Sequence, residues 1–342
     1  MKNKNVIATK SLEQSVTAQT IEKTRATLIQ VGLSACLAGY KVRYNGGHTQ
    51  SRLCLDILSD YFNFKTFCPE VAAGFGTPRP AMRLIGNPEA PRLTFSNDET
   101  VDLSAQLING FEDKLPEMSN LDGYILMKNS PSCGAERVKV YQPNGHPHTT
   151  PGIGLFAQAL KAKYPNMPIE EEGRLNDDTL YDNFVMRVYA HYNFRKEVLT
   201  QPSLVNLIKF HASYKYILMA HNQQQAKRLG RIVASPKNAP LEGLINRYFA
   251  AFMCVLSKPA NRKNHTNTLL HILGYLKKSV PSQARKHIVA AIFKYKDGIM
   301  PLATPLTLLT HYLSQYGSNY INAQRYLQPY PEQIHYLRKY CH

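Results

Sequence analysis

What the chain is short of narrows its class first. No uninterrupted apolar run approaches the roughly 18 residues that mark a membrane-crossing helix, so no membrane partner is expected. Residues 1–26 have a basic start but no apolar core, which argues against a secretory signal; they read as a polar, mobile leader. Cysteine is sparse, six in 342 residues at irregular spacings, and this excludes a secreted disulfide scaffold. The expected address is the cytoplasm, where thiols stay reduced and can bind metal. No GxxxxGK[ST] loop is present for a nucleoside triphosphate, and there is no internal repeat or low-complexity stretch.

Acidic residues are the most unevenly missing class. Residues 1–165 carry 18 Lys and Arg against 14 Asp and Glu. Residues 183–342 carry 22 against only 4, namely Glu197, Glu242, Asp297 and Glu332, for a net of +18. Between them lies an acidic patch, Glu170–Glu172 with Asp177, Asp178 and Asp182. A positive field sustained over that length favours a polyanionic partner, nucleic acid before an anionic membrane surface.

What is present divides the chain into a leader (1–26), an α/β region (27–168) and a basic helical region (169–342). The first folded region alternates strands and helices. Residues 27–34 and 64–68 and Gly123–Met127 have strand character, whereas 49–62, 99–112 and 154–164 have helical spacing. That order predicts a Rossmann-like parallel sheet. Beyond about residue 170 the period is helical nearly throughout, predicting helices at 179–199, 203–221, 240–256, 264–278, 281–297, 304–316 and 318–327, and an all-α domain.

Cys36, Cys68 and Cys133 each follow a predicted strand at the start of a loop. They are 32 and 65 residues apart, yet the carboxyl ends of parallel strands form one crevice, where the thiols could converge. Three such thiolates could hold a [4Fe–4S] cluster with one open iron, a zinc with an open fourth position, or a redox thiol site; they could also be three buried cysteines that never meet. Cys54 and Cys254 fall in apolar helices and read as small core residues, and Cys341 sits at the chain end.

The flanking residues add chemistry. The glycine-rich stretch VRYNGGH, 42–48, offers Arg43, Tyr44 and Asn45 to an anion or a base edge. Glu70 stands two residues from Cys68, and a partly desolvated carboxylate there would resist ionisation and trade protons. TPRPAMR, 77–83, is a rigid basic turn, and SPSCG, 130–134, places Ser130 and Ser132 beside Cys133. In the basic half, His211 with Lys215, and Arg262, Lys263 and His265, form the best patches for RNA, with tyrosines as stacking faces.

Taken together, SACLAG (34–39), VRYNGGH (42–48), CPEV (68–71), TPRP (77–80) and KNSPSCG (128–134) resemble the thiouracil desulfidase (TudS) family over roughly residues 29–165. That resemblance implies a [4Fe–4S] cluster on Cys36, Cys68 and Cys133, with Glu70 and Ser130 catalytic. FHASYK (210–215), MAH (219–221), LGR (229–231), RKNHTNTLLHILGY (262–275), PLATPLTLL (301–309) and YLQPYP (326–331) resemble the helical domain fused to this module in RudS-type proteins. This second resemblance implies a tRNA 4-thiouridine desulfidase that needs no redox partner; it implies no oligomeric state. Free thiouracil or a thiouridine nucleoside or nucleotide is the alternative substrate, and a zinc-containing nucleic-acid-binding protein the alternative class. Asn45 stands where the family pattern often has Asp, AMRL follows TPRP where single-domain relatives are acidic, and the leader has no counterpart.

Overall fold

A computed structural model of the chain describes residues 28–234 and 240–337. The leader and Cys341 lie outside these residues. Two compact units are present, one ending at Leu160 and the other spanning Lys161–Tyr336.

The first unit is built on parallel strands. β1 (Ile29–Ser34) lies between β2 (Phe62–Phe67) and β5 (Gly123–Leu126), with Ile29 opposite Phe62 and Val31 opposite Gly123. The middle strands are buried on both faces, so they read as continuous apolar runs: Val31, Leu33, Ile125 and Leu126 are inaccessible. A second sheet had no signal in the sequence reading. β3 (Met82–Asn87) and β4 (Ala90–Phe95) form an antiparallel hairpin, and β6 (Val140–Tyr141) runs parallel to β3. Helices α1 (Pro69–Ala72), α2 (Ser104–Glu112) and α3 (Leu155–Lys163) follow β2, β4 and β6. The helix expected over 49–62 is a single π turn, Leu53–Ile57, and a 3-10 turn, Leu58–Asp60. Cys54 is buried there, as expected.

Gly32 of β1 has a steric reason to be glycine. A Cβ at this position would lie 2.2 Å from Cδ2 of Tyr124, the residue opposite it on β5. The Tyr124 ring therefore lies flat across β1, edged by Phe156 of α3 at 5.7 Å.

The second unit opens on the short strand β7 (Ile169–Glu171) and is otherwise helical. Its helices are α4 (Asp178–Phe194), α5 (Leu204–His221), α6 (Gln223–Ala234), α7 (Leu241–Leu256), α8 (Arg262–Leu273), α9 (Ser282–Lys296), α10 (Ala303–Tyr316), α11 (Asn319–Asn322) and α12 (Glu332–Leu337). Capping is local and legible: Asp177, Ser203 and Asn261 accept from the amides of Leu180, Asn206 and Asn264, each bond stabilising its helix by about 1 kcal/mol. An aromatic core joins α4, α5 and α7, with Phe194 stacked on Phe249 at 4.2 Å and Phe210 on Tyr214 at 4.5 Å. α7 buries Leu244, Ile245, Tyr248, Phe249, Phe252, Met253 and Leu256. Cys254 falls between those positions and is exposed, which corrects its reading as a core residue. No helix among the described residues is long and apolar enough to cross a membrane.

Candidate functional site

Cys36, Cys68 and Cys133 follow β1, β2 and β5 in the chain and influence one another electrostatically. Cys36 sits in a 3-10 turn, Ala35–Ala38, that leaves β1 and closes at Gly39 in the left-handed region at φ 91°. Its carbonyl accepts from Gly39 and Thr49 at 3.4 and 3.0 Å, folding the following loop back over it. Cys68 follows β2 and caps α1, and the amides of Val71 and Glu70 in the first turn favour its charged form. Cys133 lies in a tight turn whose hub is Ser130: Ser130 Oγ accepts from the amides of Cys133 and Ser132 at 3.0 and 3.2 Å. The Ser34 hydroxyl is bonded to the Cys133 sulfur and also accepts the Met127 amide at 3.0 Å, tying the ends of β1 and β5 together.

The thiols act on one another. Burial, then the neighbouring Cys68, pushes Cys36 up to about 11, with Arg43 opposing. Burial raises Cys68, with the nearby Val71 and Glu70 amides opposing. Burial, then Cys68 and Glu70, pushes Cys133 well above the ordinary thiol range. Three sulfurs held together and out of water resist becoming thiolates until a cationic group neutralises them. Among the described residues no group of three or more His, Cys, Asp or Glu is placed to hold a single metal ion. Three thiolates on one zinc would have to lie within roughly 4 Å of each other, given a Zn–S bond near 2.3 Å.

Glu70 is not left alone in an apolar pocket. It is ion-paired with Arg79, and the two side chains are 15% and 3% exposed. Arg79 also donates to the carbonyls of Gly76 and Val42 at 2.7 and 3.1 Å, and its amide donates to the Tyr44 carbonyl at 2.8 Å. One guanidinium thus fixes the Glu70 carboxylate and the loop at 42–48 together. In that loop Arg43 is bonded to Thr49 Oγ1 and lies 5.9 Å from the Tyr44 ring centre. Tyr44 and Asn45 are exposed, and Asn45 Oδ1 accepts the Gly47 amide at 3.1 Å, so its side chain shapes its own turn. Ser132, expected to touch substrate, is wholly buried, and its hydroxyl has no partner.

Sequence reasoning missed three participants. Arg79 was visible only as part of a basic turn. Ser34 and Tyr124 read as strand residues. Tyr124 is 1% exposed, and its hydroxyl is buried without a hydrogen-bond partner, under the electrostatic influence of Cys133, Cys68 and Cys36.

Residues 31–172 match the family described as 2-thiouracil desulfurase. The uncharacterized protein YbbK of Bacillus subtilis (strain 168) is 31% identical over 154 residues, covering 42% of this chain and 97% of that one. Residues 31–172 are a 2-thiouracil desulfurase domain. Residues 215–331 carry a second domain, matching a family of unknown function, DUF1722. The uncharacterized protein YbgA of Escherichia coli (strain K12) is 32% identical over 162 residues, 47% of this chain and 93% of that one. A solved structure titled as a [4Fe-4S]-dependent thiouracil desulfidase, TudS, shares 28% identity over 43% of this chain and 93% of its own, with a TM-score of 0.35.

In the second unit the expected RNA contacts fall into two groups. The His211 Nδ1 pairs with the buried Tyr248 hydroxyl at 3.0 Å, and His265 Nδ1 pairs with Tyr326 at 2.9 Å. Burial, aided by Lys215 for His211 and His221 for His265, pulls both imidazoles down to about 4. They are half-buried, neutral histidines paired with tyrosine hydroxyls. Lys215, Arg262 and Lys263 are exposed. Arg262 donates to the Tyr295 carbonyl at 2.7 Å and packs over that ring, whereas Lys263 edges a polar depression of about 470 Å³ with Asn222, Gln223, Gln224, Asn264 and Asn267.

Proposed function

We propose that this desulfurase removes sulfur from 4-thiouridine in tRNA, releasing uridine and hydrogen sulfide, with a [4Fe–4S] cluster on Cys36, Cys68 and Cys133. The observation that carries the reading is the mutual influence of these three thiols after the strand ends, Cys133 buried and Cys36 and Cys68 half-buried, beside a carboxylate fixed by Arg79. The residues fit the group. The donor set is all sulfur, the kind that iron–sulfur clusters use. Each iron of a cube that is held by protein takes its own thiolate, and three cysteines leave one iron open for a substrate. The orphaned Tyr124 hydroxyl awaits an acceptor at the same place.

When bound, the cluster supplies a soft Lewis-acidic iron that favours a thiocarbonyl sulfur over oxygen. The chain's own residues do the rest. Arg79 holds the Glu70 carboxylate in one orientation, where it takes a proton from the attacking water and passes it to the departing sulfur. Ser130, which only accepts from the Cys133 and Ser132 amides, keeps its hydroxyl proton to donate to the base. Arg43 acts on Cys36, and Arg79 pins the loop that carries Arg43. The balance is one C–S bond replaced by one C–O bond, with water consumed and hydrogen sulfide formed.

The tRNA substrate is supported by the basic half. Its excess of Lys and Arg suits phosphates, which bind salt-dependently and without sequence preference. Exposed Tyr275, Tyr316 and Tyr320 offer stacking faces, with Tyr275 and Tyr320 ring centres 6.1 Å apart. The family's own description favours a second reading, a free thiolated base. Anaerobic reconstitution with iron and sulfide, followed by incubation with 4-thiouridine tRNA and nucleoside mass spectrometry, separates them. Conversion to uridine by wild type and not by Cys36→Ala supports the tRNA reading. Turnover of free 2-thiouracil with untouched tRNA replaces it by the second.

A further inference from the structure

We propose that Tyr124 is a positioning residue for the cluster, its hydroxyl donating a hydrogen bond to a cluster sulfide or to one of the cysteine sulfurs that hold it. This rests on the cluster reading given above.

The argument begins with the ring's seat. Tyr124 is placed by β5, and the only room for its ring is the space left by the missing side chain of Gly32, which any Cβ would invade at 2.2 Å. Phe156 closes the other side at 5.7 Å. The seat is apolar, and phenylalanine would fill it equally well. The added hydroxyl is therefore a liability unless it meets an acceptor, because a buried donor without a partner forfeits its bonds to water. No protein atom accepts it. Around it stand the three cysteines, with Cys133 exerting the strongest influence, then Cys68, then Cys36. Sulfur carrying negative charge is the acceptor such a donor suits, and it exists there only when the thiols are deprotonated on a metal centre. The hydroxyl is thus a group whose partner arrives with the cofactor. Hydrogen bonds to cluster sulfurs set both the retention of a cluster and its potential.

Tyr124→Phe in the full-length chain tests this without reading activity. The thermal midpoint is measured anaerobically, with and without reconstituted cluster. Loss of cluster to a chelator and the reduction potential are followed alongside. Removal of the orphan is expected to raise the midpoint of the cluster-free chain, while the loaded chain loses its cluster several-fold faster and its potential moves negative. Iron–sulfur stretching bands in the resonance Raman spectrum are expected to shift in D2O for wild type, and less for the variant. Equal midpoint shifts in both forms, with unchanged cluster loss and potential, would overturn the role of Tyr124. A wild-type chain that takes up no iron–sulfur cluster would instead overturn the cluster reading, and this inference with it.

Discussion

Gly32→Ala gives the sharpest steric test of how the site is assembled. The added methyl would sit 2.2, 2.3 and 2.8 Å from three atoms of the Tyr124 ring, so the ring must retreat by more than an ångström to reach ordinary contact near 3.4 Å. It has nowhere to go, since Tyr124 is 1% exposed and Phe156 stands behind it. Two effects oppose each other. Replacing glycine stabilises by about 0.4–1 kcal/mol through the less free unfolded chain, and overpacking a tight core costs about 1–3 kcal/mol. The clash is with an immobile ring rather than a flexible tip, so overpacking wins, for a net loss of about 1–2 kcal/mol. A urea melt with a probe in the first unit reads this as a lower midpoint. Gly32→Ala combined with Tyr124→Leu is expected to be less destabilised than the two changes summed, with a coupling of about 0.5–3 kcal/mol. Because β1 leads directly into Cys36, iron uptake falls in the single variant and recovers in part in the double. An unchanged or higher midpoint, or strict additivity, would refute this packing argument.

Three further outcomes follow. Arg79→Met strands Glu70 in a site where the pair is 3% and 15% exposed, so stability is expected to fall by up to about 3–5 kcal/mol and kcat/KM with it; Arg79→Lys recovers part of both, and an unaffected Arg79→Met chain would remove the pair from the account. His211 and His265 are depressed to about 4 while unfolded histidine titrates near 6.5, so the unfolded chain binds more protons between those values and stability drops as pH falls through them, by about 1–3 kcal/mol for each. Urea midpoints from pH 7 to 5 should slope downward, and His211→Gln should flatten part of that slope. Lys215→Gln and Lys263→Gln should each reduce the slope of log affinity for tRNA against log salt by about 0.7–0.9; unchanged slopes would move the RNA to another face.

Much of the fold was legible because its signals are local. The apolar runs of β1 and β5 and the thiols placed after β1, β2 and β5 needed only strand character and the rule that parallel strands open their crevice at the carboxyl end. The long helices of the second unit followed from period and caps. What escaped detection depends on partners distant in sequence. The β3–β4 hairpin turns at Pro88 and Glu89, has Gly86 in the left-handed region within β3, and carries Pro91, Arg83 and Arg92, so its pattern reads as a polar loop. α6, QQQAKRLGRIVA, is too polar to signal a helix, yet Ala226, Leu229 and Val233 share one buried side. Cys254 shows the limit of counting apolar neighbours, because helical phase puts it outward. His211 and His265 looked available beside basic residues, but Tyr248 and Tyr326, 37 and 61 residues away in sequence, pair with them. At the candidate site, the placing of the cysteines after strands was readable, while Arg79's grip on Glu70 and the Tyr124 seat on Gly32 exist only once the chain has folded.

The most direct test of the central claim is the iron and acid-labile sulfide content of the anaerobically reconstituted chain, for wild type and for Cys36→Ala, Cys68→Ala and Cys133→Ala. The expected result is a brown wild-type protein with about four irons and four sulfides per chain, and each variant depleted of both. Equal loading of wild type and all three variants, or a colourless protein that binds only zinc, would contradict the assignment of these cysteines to a [4Fe–4S] cluster.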